Sequence, residues 1–290
     1  MISVIITAYK EQNTIGKVIE SILPQLKNKD EIIVVCPDKE TEKAAKKFKI
    51  KHIKDQGKGK PAALNLAFKK AKGNILILTD GDVYISKNAI KEILKPFKDK
   101  KVGAVSGRPV STNTRNTMLG FWSHLLTDIG AHETRILLRK KDKFIVCSGY
   151  LMGIRKNLIE KIPENSLSDD AVISNLIYSK SYKTAYAQEA KVFVKYPTTL
   201  KDWLKQKRRS AGGYLQIKEL TNRKDEMRSF FKESFGIFRA LRYPKTTKEY
   251  YWTIILVLAR LYLWSVIFID IKLKKKEFSK IWQRIETTKN

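Results

Sequence analysis

The chain has 290 residues, 43% of them hydrophobic, enough to bury a full core with an appendage beside it. Lysine and arginine number 58 against 29 acids, and the net charge of +29 calls for anionic partners: nucleic acid, nucleotide phosphates or an anionic membrane surface. Two cysteines, Cys36 and Cys147, with no Cys-x-x-Cys pair, argue against a disulfide framework or a zinc site, and the scattered His52, His124 and His132 argue against a histidine metal centre.

In chain order, Ser3-Val4-Ile5-Ile6-Thr7-Ala8-Tyr9 is β-branched and apolar and predicts a first strand, and residues 14–23 carry the apolar spacing of a helix. A strand at 31–35, a lysine-rich helix at 39–47, a short strand at 50–53 and a helix at 61–71, with Pro61 in its first turn, follow. They lead to a fourth strand, Asn74-Ile75-Leu76-Ile77-Leu78-Thr79-Asp80. This β-α-β-α-β-α-β order predicts a doubly wound parallel sheet, whose usual guests are nucleotides. No G-x-G-x-x-G follows the first strand, and Gly57-Lys58-Gly59-Lys60-Pro61 lacks the spacing and hydroxyl of a P-loop, which weakens a dinucleotide or ATP-hydrolysis reading.

The fourth strand ends in Asp80-Gly81-Asp82, two carboxylates two residues apart on a tight turn that a glycine allows, where ligands of parallel sheets collect. Hard oxygens of this kind suit Mg2+ or Mn2+ with substrate phosphates completing the shell; a solvated strand-to-loop turn is the plain alternative. Further on, Met118, Leu119, Phe121, Trp122, Leu125, Leu126 and Ile129 recur at helical spacing, as in an amphipathic helix. Asp169-Asp170 stands just ahead of a periodic apolar stretch at 171–178, a place where Ser168 or Asp169 could simply cap a helix.

Residues 250–271 are apolar on almost every face and open with Tyr250-Tyr251-Trp252, as a membrane-interface belt would. Arg260, near the middle, costs about 2.5–3.5 kcal/mol on insertion, which a dozen Leu, Ile, Val and Phe side chains at roughly 0.3–0.6 kcal/mol each offset. Arg239, Arg242, Lys245 and Lys248 precede the segment and Lys272, Lys274, Lys275 and Lys276 follow it, so a single pass does not satisfy the positive-inside rule at both ends. A re-entrant hairpin about Arg260, a helix lying in the interface and a buried helix packed on the main domain all stay open.

The succession Thr7-Ala8-Tyr9-Lys10-Glu11, Val34-Val35, Gly59-Lys60-Pro61-Ala62-Ala63-Leu64-Asn65, Asp80-Gly81-Asp82, Gly107-Arg108, Ser148-Gly149, Ser168-Asp169-Asp170 and Gln206-Lys207-Arg208-Arg209-Ser210 resembles the GT-A glycosyltransferases of family 2. The resemblance implies an α/β GT-A fold, a doubly wound mixed sheet, over 1–225, and a C-terminal helical region at 226–290 that carries the membrane-associated segment 250–271. It also implies a nucleotide-diphosphate sugar as donor and Mg2+ or Mn2+ as cofactor, the ion held by Asp82 with Asp80 beside it. Tyr9 and Glu11 match positions that line the nucleoside pocket, and Lys60 matches one near the donor. Many relatives carry Asp-Asp-Gly-Ser after the second strand; this chain has Val35-Cys36-Pro37-Asp38, and Asp38 is the nearest candidate for the base and ribose contact.

Asp170 matches the acid that removes the acceptor's hydroxyl proton, which favours a hydroxyl acceptor and inversion at the anomeric carbon. Gln206 and Arg209 resemble the Gln-x-x-Arg-Trp motif of membrane polysaccharide synthases, which helps bind the donor and the acceptor end; Ser210 stands in place of its tryptophan. The expected function is an inverting, metal-dependent glycosyltransferase acting on a lipid-linked or cell-surface glycan at the cytoplasmic face of the cell membrane. Transfer of single sugars is expected, because one long apolar stretch is not the bundle of spans that exports a polymer. In related enzymes the region around 118–129 rests on the membrane near the acceptor, which would bring a lipid-linked sugar to Asp170; ordinary packing of the same stripe is the open alternative. The alternatives are a polyprenyl-phosphate sugar synthase, whose ionised acceptor needs no base, and a non-catalytic basic binding protein on the same scaffold. Nucleic acid is not expected, since no binding motif accompanies the charge. No signal peptide precedes the first strand, which places the catalytic part in the cytoplasm.

Overall fold

Strand β1 (Ile2–Thr7) is buried along its whole length, as a strand covered on both faces must be. The structure, a computed structural model, describes residues 1–221, 239–269 and 287–288. Around β1 an eight-stranded sheet runs in the order β3-β2-β1-β4-β7-β6-β8-β5. Its first four members, β3 (Lys51–Lys54), β2 (Glu31–Cys36), β1 and β4 (Ile75–Asp80), are parallel, with Thr7 level with Asp80 and Val35. Strand β7 (Leu151–Arg155) enters antiparallel between β4 and β6 (Val102–Ser111), and β8 (Lys183–Val194) pairs parallel with β6 and antiparallel with the short β5 (Tyr84–Ile85). The sheet is therefore the mixed one expected.

Alternation along the strands feeds two cores. Val4, Ile6, Val34 and Ile77 face α1 (Ile15–Ile22), whose Ile15, Val18, Ile19 and Ile22 are fully buried. Ile5, Ile33, Val35, Leu76 and Leu78 face α3 (Lys60–Lys70), which buries Ala63, Leu64, Ala67 and Phe68, and α7 (Asp169–Ser179), which buries Ile173 and Ile177. Period-two strands between helices on both faces make the double winding. Helix α2 (Lys39–Ala45) is capped by Asp38, whose Oδ1 accepts the Thr41 N–H at 2.9 Å. Helices α4 (Ala89–Leu94), α5 (Met118–Leu125) and α6 (Thr134–Lys140) complete the middle of the chain, with a π-helical segment, Leu126–Glu133, between the last two.

A third cluster joins α5 to α8 (Leu200–Thr221) and α9 (Thr247–Phe268). Phe121 and Trp122 are fully buried there, the Trp122 ring lies 5.1 Å from Trp203, and its indole Nε1 donates to the Trp252 carbonyl at 2.7 Å. The apolar stripe at 118–129, for which membrane contact and ordinary packing both stayed open, is used for packing by α8 and α9. Helix α9 spends one face, Thr253, Leu256, Leu263 and Ile267, on this contact and leaves Tyr251, Ile254, Leu258, Leu261 and Tyr262 exposed. Its stretch Thr247–Ile267 is long and apolar enough to cross a membrane. The expected boundary at 225/226 and the basic run from Lys272 to Lys276 lie outside the described residues.

The start of α9 is locked by an ion pair. Arg115 Nε and Nη2 donate to the two Glu249 carboxylate oxygens at 2.7 and 3.0 Å, Lys245 N–H donates to the same carboxylate at 2.6 Å, and Thr246 caps the helix. The Arg115 hydrogen bond holds the Glu249 carboxyl at about 2, against the opposing effect of burial. A carboxyl depressed on folding contributes stability that is full above its ordinary value of 4.5 and is lost as pH falls through about 2. Arg115→Met should therefore destabilise by about 2 kcal/mol at neutral pH. In urea melts followed by tryptophan fluorescence, the gap to wild type should close as pH falls from 4.5 towards 2.

Candidate active site

The carboxyl ends of β1 and β4 lie side by side, and the loops leaving them are stitched together. Gly81 N–H donates to the Thr7 carbonyl at 3.0 Å, Thr7 Oγ1 donates to Asp80 Oδ1 at 3.2 Å, and Thr14 Oγ1 donates to the Gly81 carbonyl at 2.7 Å. Gly81 does not need the left-handed backbone that a tight turn suggests; among the described residues only Gly57 and Gly59 of the glycines have positive φ. It is needed for closeness, since a Cβ there would sit 2.7 Å from Ala8 Cβ and 3.3 Å from Glu11 Cγ. Glu11, expected in the nucleoside pocket, is 3% exposed and accepts the Thr14 hydroxyl at 3.1 Å, so its carboxylate belongs to this stitching, while Tyr9 stands 44% exposed at the mouth. Asp38 is likewise engaged: beyond its cap, Oδ2 accepts the Lys10 N–H at 2.9 Å, and these hydrogen bonds outweigh burial to hold its carboxyl below the ordinary range.

Lys60 is the first residue of α3, entered through Gly59 at φ 101° with Pro61 in the first turn. Its Nζ lies 2.6 Å from Asp80 Oδ1 and 3.5 Å from Asp169 Oδ2. Burial works against the Lys60 charge, but Asp169 and Asp80 outweigh it and hold the ammonium firmly protonated. Burial in turn pushes the Asp169 carboxyl up and Lys60 pulls it down. Asn65, one helical turn further along, gives both side-chain atoms to Ile162, Nδ2 to its carbonyl and Oδ1 to its N–H, each at 2.8 Å, which ties α3 to the chain leading to Asp169.

Asp169 and Asp170 open α7 behind Ser168, at the positive end of the helix. Asp170 Oδ2 accepts the Gly149 N–H at 2.9 Å and Oδ1 accepts the Ala171 N–H at 2.8 Å, so its carboxylate is oriented by backbone. Helix α8 seals the same corner. A Cβ on Gly213 would lie 2.3 Å from Ser168 Oγ, and Gln216 Oε1 accepts the Leu167 N–H at 2.9 Å. On α8, Gln206 Nε2 donates to Tyr150 Oη at 3.4 Å. The Tyr150 hydroxyl is held well above its ordinary value by burial; Arg209 and Lys60 lower it while Asp82 and Asp80 raise it, so it sits amid the expected donor and metal residues.

The structure thus brings together Lys60, Asp80, Asp82, Asp169, Asp170, Gln206 and Arg209, with Tyr9 at the rim. Two members escape a reading of the sequence: Tyr150, whose one hint is the adjacent Ser148-Gly149, and the ion-pairing role of Asp169, which reads as a helix cap. Among the described residues no three His, Cys, Asp or Glu side chains converge as a self-sufficient metal cage.

A parallel α/β sheet with acids gathered at the strand ends beside an antiparallel β7 defines the GT-A class of nucleotide-sugar transferase. Residues 1–213 match the family model described as glycosyltransferase like family 2, and the chain belongs to that family. It is 26% identical over 238 residues, 76% of this chain and 57% of the relative, to a probable glycosyltransferase YdaM of Bacillus subtilis. It is 28% identical over 163 residues to the hyaluronan synthase of Streptococcus pyogenes, covering 52% of this chain and 39% of that one. The chain therefore spans about half the length of the curated relatives it matches. Among solved structures, the mannosyltransferase PcManGT of Pyrobaculum calidifontis, in complex with GDP-Man and Mn2+, superposes with TM-score 0.62 at 19% identity, over 97% of this chain and 82% of that one. Glucosyl-3-phosphoglycerate synthase of Mycobacterium tuberculosis, with Mn2+, uridine diphosphate and phosphoglyceric acid, gives 0.55 at 17% identity over 78% of this chain and 80% of that one.

The close approach at Gly81 is testable without substrate. Gly81→Ala should destabilise the chain by about 1–3 kcal/mol through overpacking. Gly16→Ala, on α1 where a Cβ meets nothing nearer than 3.8 Å, should stabilise by up to about 1 kcal/mol, both read from urea denaturation.

Proposed function

We propose that the chain transfers a sugar, with inversion, from a nucleotide-diphosphate donor to a hydroxyl of an acceptor glycan, at the surface of a membrane. The observation that carries this reading is Lys60: one ammonium bridges Asp80, at the metal-type turn, and Asp169, beside the acid expected to serve the acceptor. Donor and acceptor machinery are thereby parts of one cluster.

Asp82 with Asp80 would hold Mg2+ or Mn2+, which when bound supplies Lewis-acid neutralisation of the departing diphosphate. The donor set fits such an ion: hard carboxylate oxygens, too few to complete a shell without a nucleotide's phosphates and water. Lys60 adds a fixed positive charge on the donor side. Tyr9 offers an exposed ring for the nucleoside, and Gln206 and Arg209 on α8 and Tyr150, in the turn before β7, close the pocket. Asp170, aimed by Gly149 N–H, accepts the acceptor's hydroxyl proton as the oxygen attacks the anomeric carbon. The bond from that carbon to the phosphate oxygen breaks, and its electron pair leaves with the nucleoside diphosphate.

Nucleotide sugar with Mn2+ should raise the melting temperature of wild type, by about 2.7 kcal/mol of stabilisation at a hundredfold excess over Kd. Asp80→Ala and Asp82→Ala should lose that rise and the accompanying donor hydrolysis. Asp170→Asn should keep donor binding and cut transfer by roughly 10²–10⁴. Full activity in Asp170→Asn would instead identify an already ionised phosphate acceptor.

The outer face of α9 supports a membrane setting. Tyr251, Ile254, Leu258, Leu261 and Tyr262 form an exposed apolar stripe, and Arg242, Lys245 and Lys248 stand at its start. Because the opposite face packs on α5 and on α8, with its Lys205, Lys207 and Arg208, the helix suits lying in the interface rather than crossing it. Flotation with vesicles of phosphatidylglycerol and phosphatidylcholine should capture the chain, and the pair Ile254→Glu and Leu258→Glu should reduce capture at least about tenfold. Alkaline carbonate should release it; resistance to release would favour a spanning helix.

A further inference from the structure

A second polar cluster lies across β6, the π-helical segment, α6 and β8, and none of the transfer chemistry uses it. Arg135, on α6, is 7% exposed; its Nε and Nη2 donate to the Val146 carbonyl at 3.3 and 3.2 Å, while Nη1 is buried with no partner among the described residues. Arg108, at the end of the Gly107-Arg108 pair on β6, has a buried Nε with no partner among the described residues, and its Nη2 stands 3.8 Å from Asp128. His132 Nδ1 pairs with Tyr186 Oη at 2.8 Å, and the Arg135 guanidinium lies 5.9 Å from the Tyr186 ring. Arg139 binds the Tyr186 carbonyl at 3.4 Å and Gln188 Oε1 at 3.2 Å. Of the nearby acids, Asp128 already accepts the Tyr243 hydroxyl at 2.7 Å and Glu189 stands 3.9 Å from Lys191.

Buried guanidinium N–H groups without acceptors are costly, and the low-dielectric setting that makes them so also strengthens whatever anion answers them. π-Helical turns recur at functional sites because they re-aim side chains. Here the turn carries Asp128 and His132 and hands over directly to α6 with Arg135. The cluster also adjoins the transfer centre. From Val146, held by Arg135, the chain runs to Ser148, whose N–H donates to Ser106 Oγ at 3.0 Å, and to Gly149, whose N–H orients Asp170 at 2.9 Å. The Cys147 thiol between them, pushed up to about 12 by burial, feels both Arg135 and Asp170.

We propose that Arg108, His132 and Arg135 form an anion subsite beside Asp170 that takes an oxyanion, phosphate or carboxylate, carried by the acceptor. That the acceptor carries the anion rests on the sugar-transfer reading; the anion site itself does not. An oxyanion there gives the two unanswered guanidinium groups their acceptors through charge-assisted hydrogen bonds. It also bears on His132, which faces Arg108, Arg135, Asp128, Glu189 and Tyr186 and which burial and then Arg108 hold below its ordinary value. An added anion raises that value.

The chain has three histidines, His52, His124 and His132, so their ring resonances can be followed by NMR in the full chain. Titration with inorganic phosphate at constant ionic strength near pH 6.5 should shift His132 saturably, raise its pKa by about half a unit to one unit, and leave His52 and His124 in place. Arg108→Gln, whose side chain is partly exposed, should weaken the phosphate effect at least about tenfold while its circular dichroism and melting temperature stay near wild type. Arg135→Lys, which keeps the charge and loses the fork, should weaken it as well. Lys60→Gln, on the donor side, should leave it unchanged, which separates this site from phosphate bound where the donor sits. An acetate arm distinguishes the two sources: a response to acetate as strong as to phosphate identifies a carboxylate. The subsite is overturned by a His132 resonance that ignores phosphate, by equal drift of all three histidines, or by Arg108→Gln binding as wild type does. A chain whose His132 responds to phosphate but which transfers no sugar from any nucleotide-sugar donor keeps the subsite and loses the transfer reading.

Discussion

Lys60 is a largely buried ammonium at the first position of α3, and its charge is tolerable there because Asp80 lies 2.6 Å away and Asp169 3.5 Å away. That three-body contact sets the geometry of the rest. Asp80 ends β4, Asp169 begins α7, and residues 81–168 lie between them, including β5, β6, β7 and the α5 to α6 region. A cation that two acids share also fixes the separation of those acids, so the strand end and the helix start are positioned against each other rather than separately. Asn65 reinforces the arrangement on the next turn of α3 by satisfying both backbone groups of Ile162.

The corner at Asp169 and Asp170 is held from outside the sheet. Helix α8 approaches Ser168 so closely that only a glycine fits at position 213, and Gln216 takes the N–H of Leu167. The same helix carries Gln206 and Arg209 to Tyr150. It is itself braced by Trp203 on Trp122 and by α9, whose first turn is clamped through Arg115 and Glu249. The apolar helix thereby has two faces with two tasks. One completes a hydrophobic cluster that supports the corner at Asp169 and Asp170, and the other stays exposed and apolar, next to the basic residues that precede it.

Much of the amino-terminal half was legible in the sequence because its signals are local. Period-two apolar strands, a proline in the first turn of α3 and an apolar strand running into Asp-Gly-Asp each leave a mark within a few residues, whereas Asp38, expected at the base and ribose, caps α2 in the structure. The resemblance to family 2 added the mixed sheet; that β7 is the strand that enters antiparallel came only with the structure, since no alternation of helices and strands discloses it. Less legible was the reason for Gly81. A turn was expected and a close approach to Ala8 was found, because a Cβ contact with a neighbouring strand end has no sequence signature. For the stripe at 118–129 membrane contact and ordinary packing both stayed open, and packing against α8 and α9 is what the structure shows, since an apolar face does not say what will cover it.

Residue type and spacing alone set the order of the first strands and helices, their double winding and the paired acids at the end of β4. Which distant groups share a charge emerges only in the folded chain. Lys60 with Asp169, Tyr150 among Arg209, Asp80 and Asp82, Arg115 with Glu249, and Arg108 and Arg135 around His132 are pairings across separations that no periodicity encodes. They form because burying a charged or polar group is unfavourable unless folding supplies it a partner, and the partner's address is set by the fold.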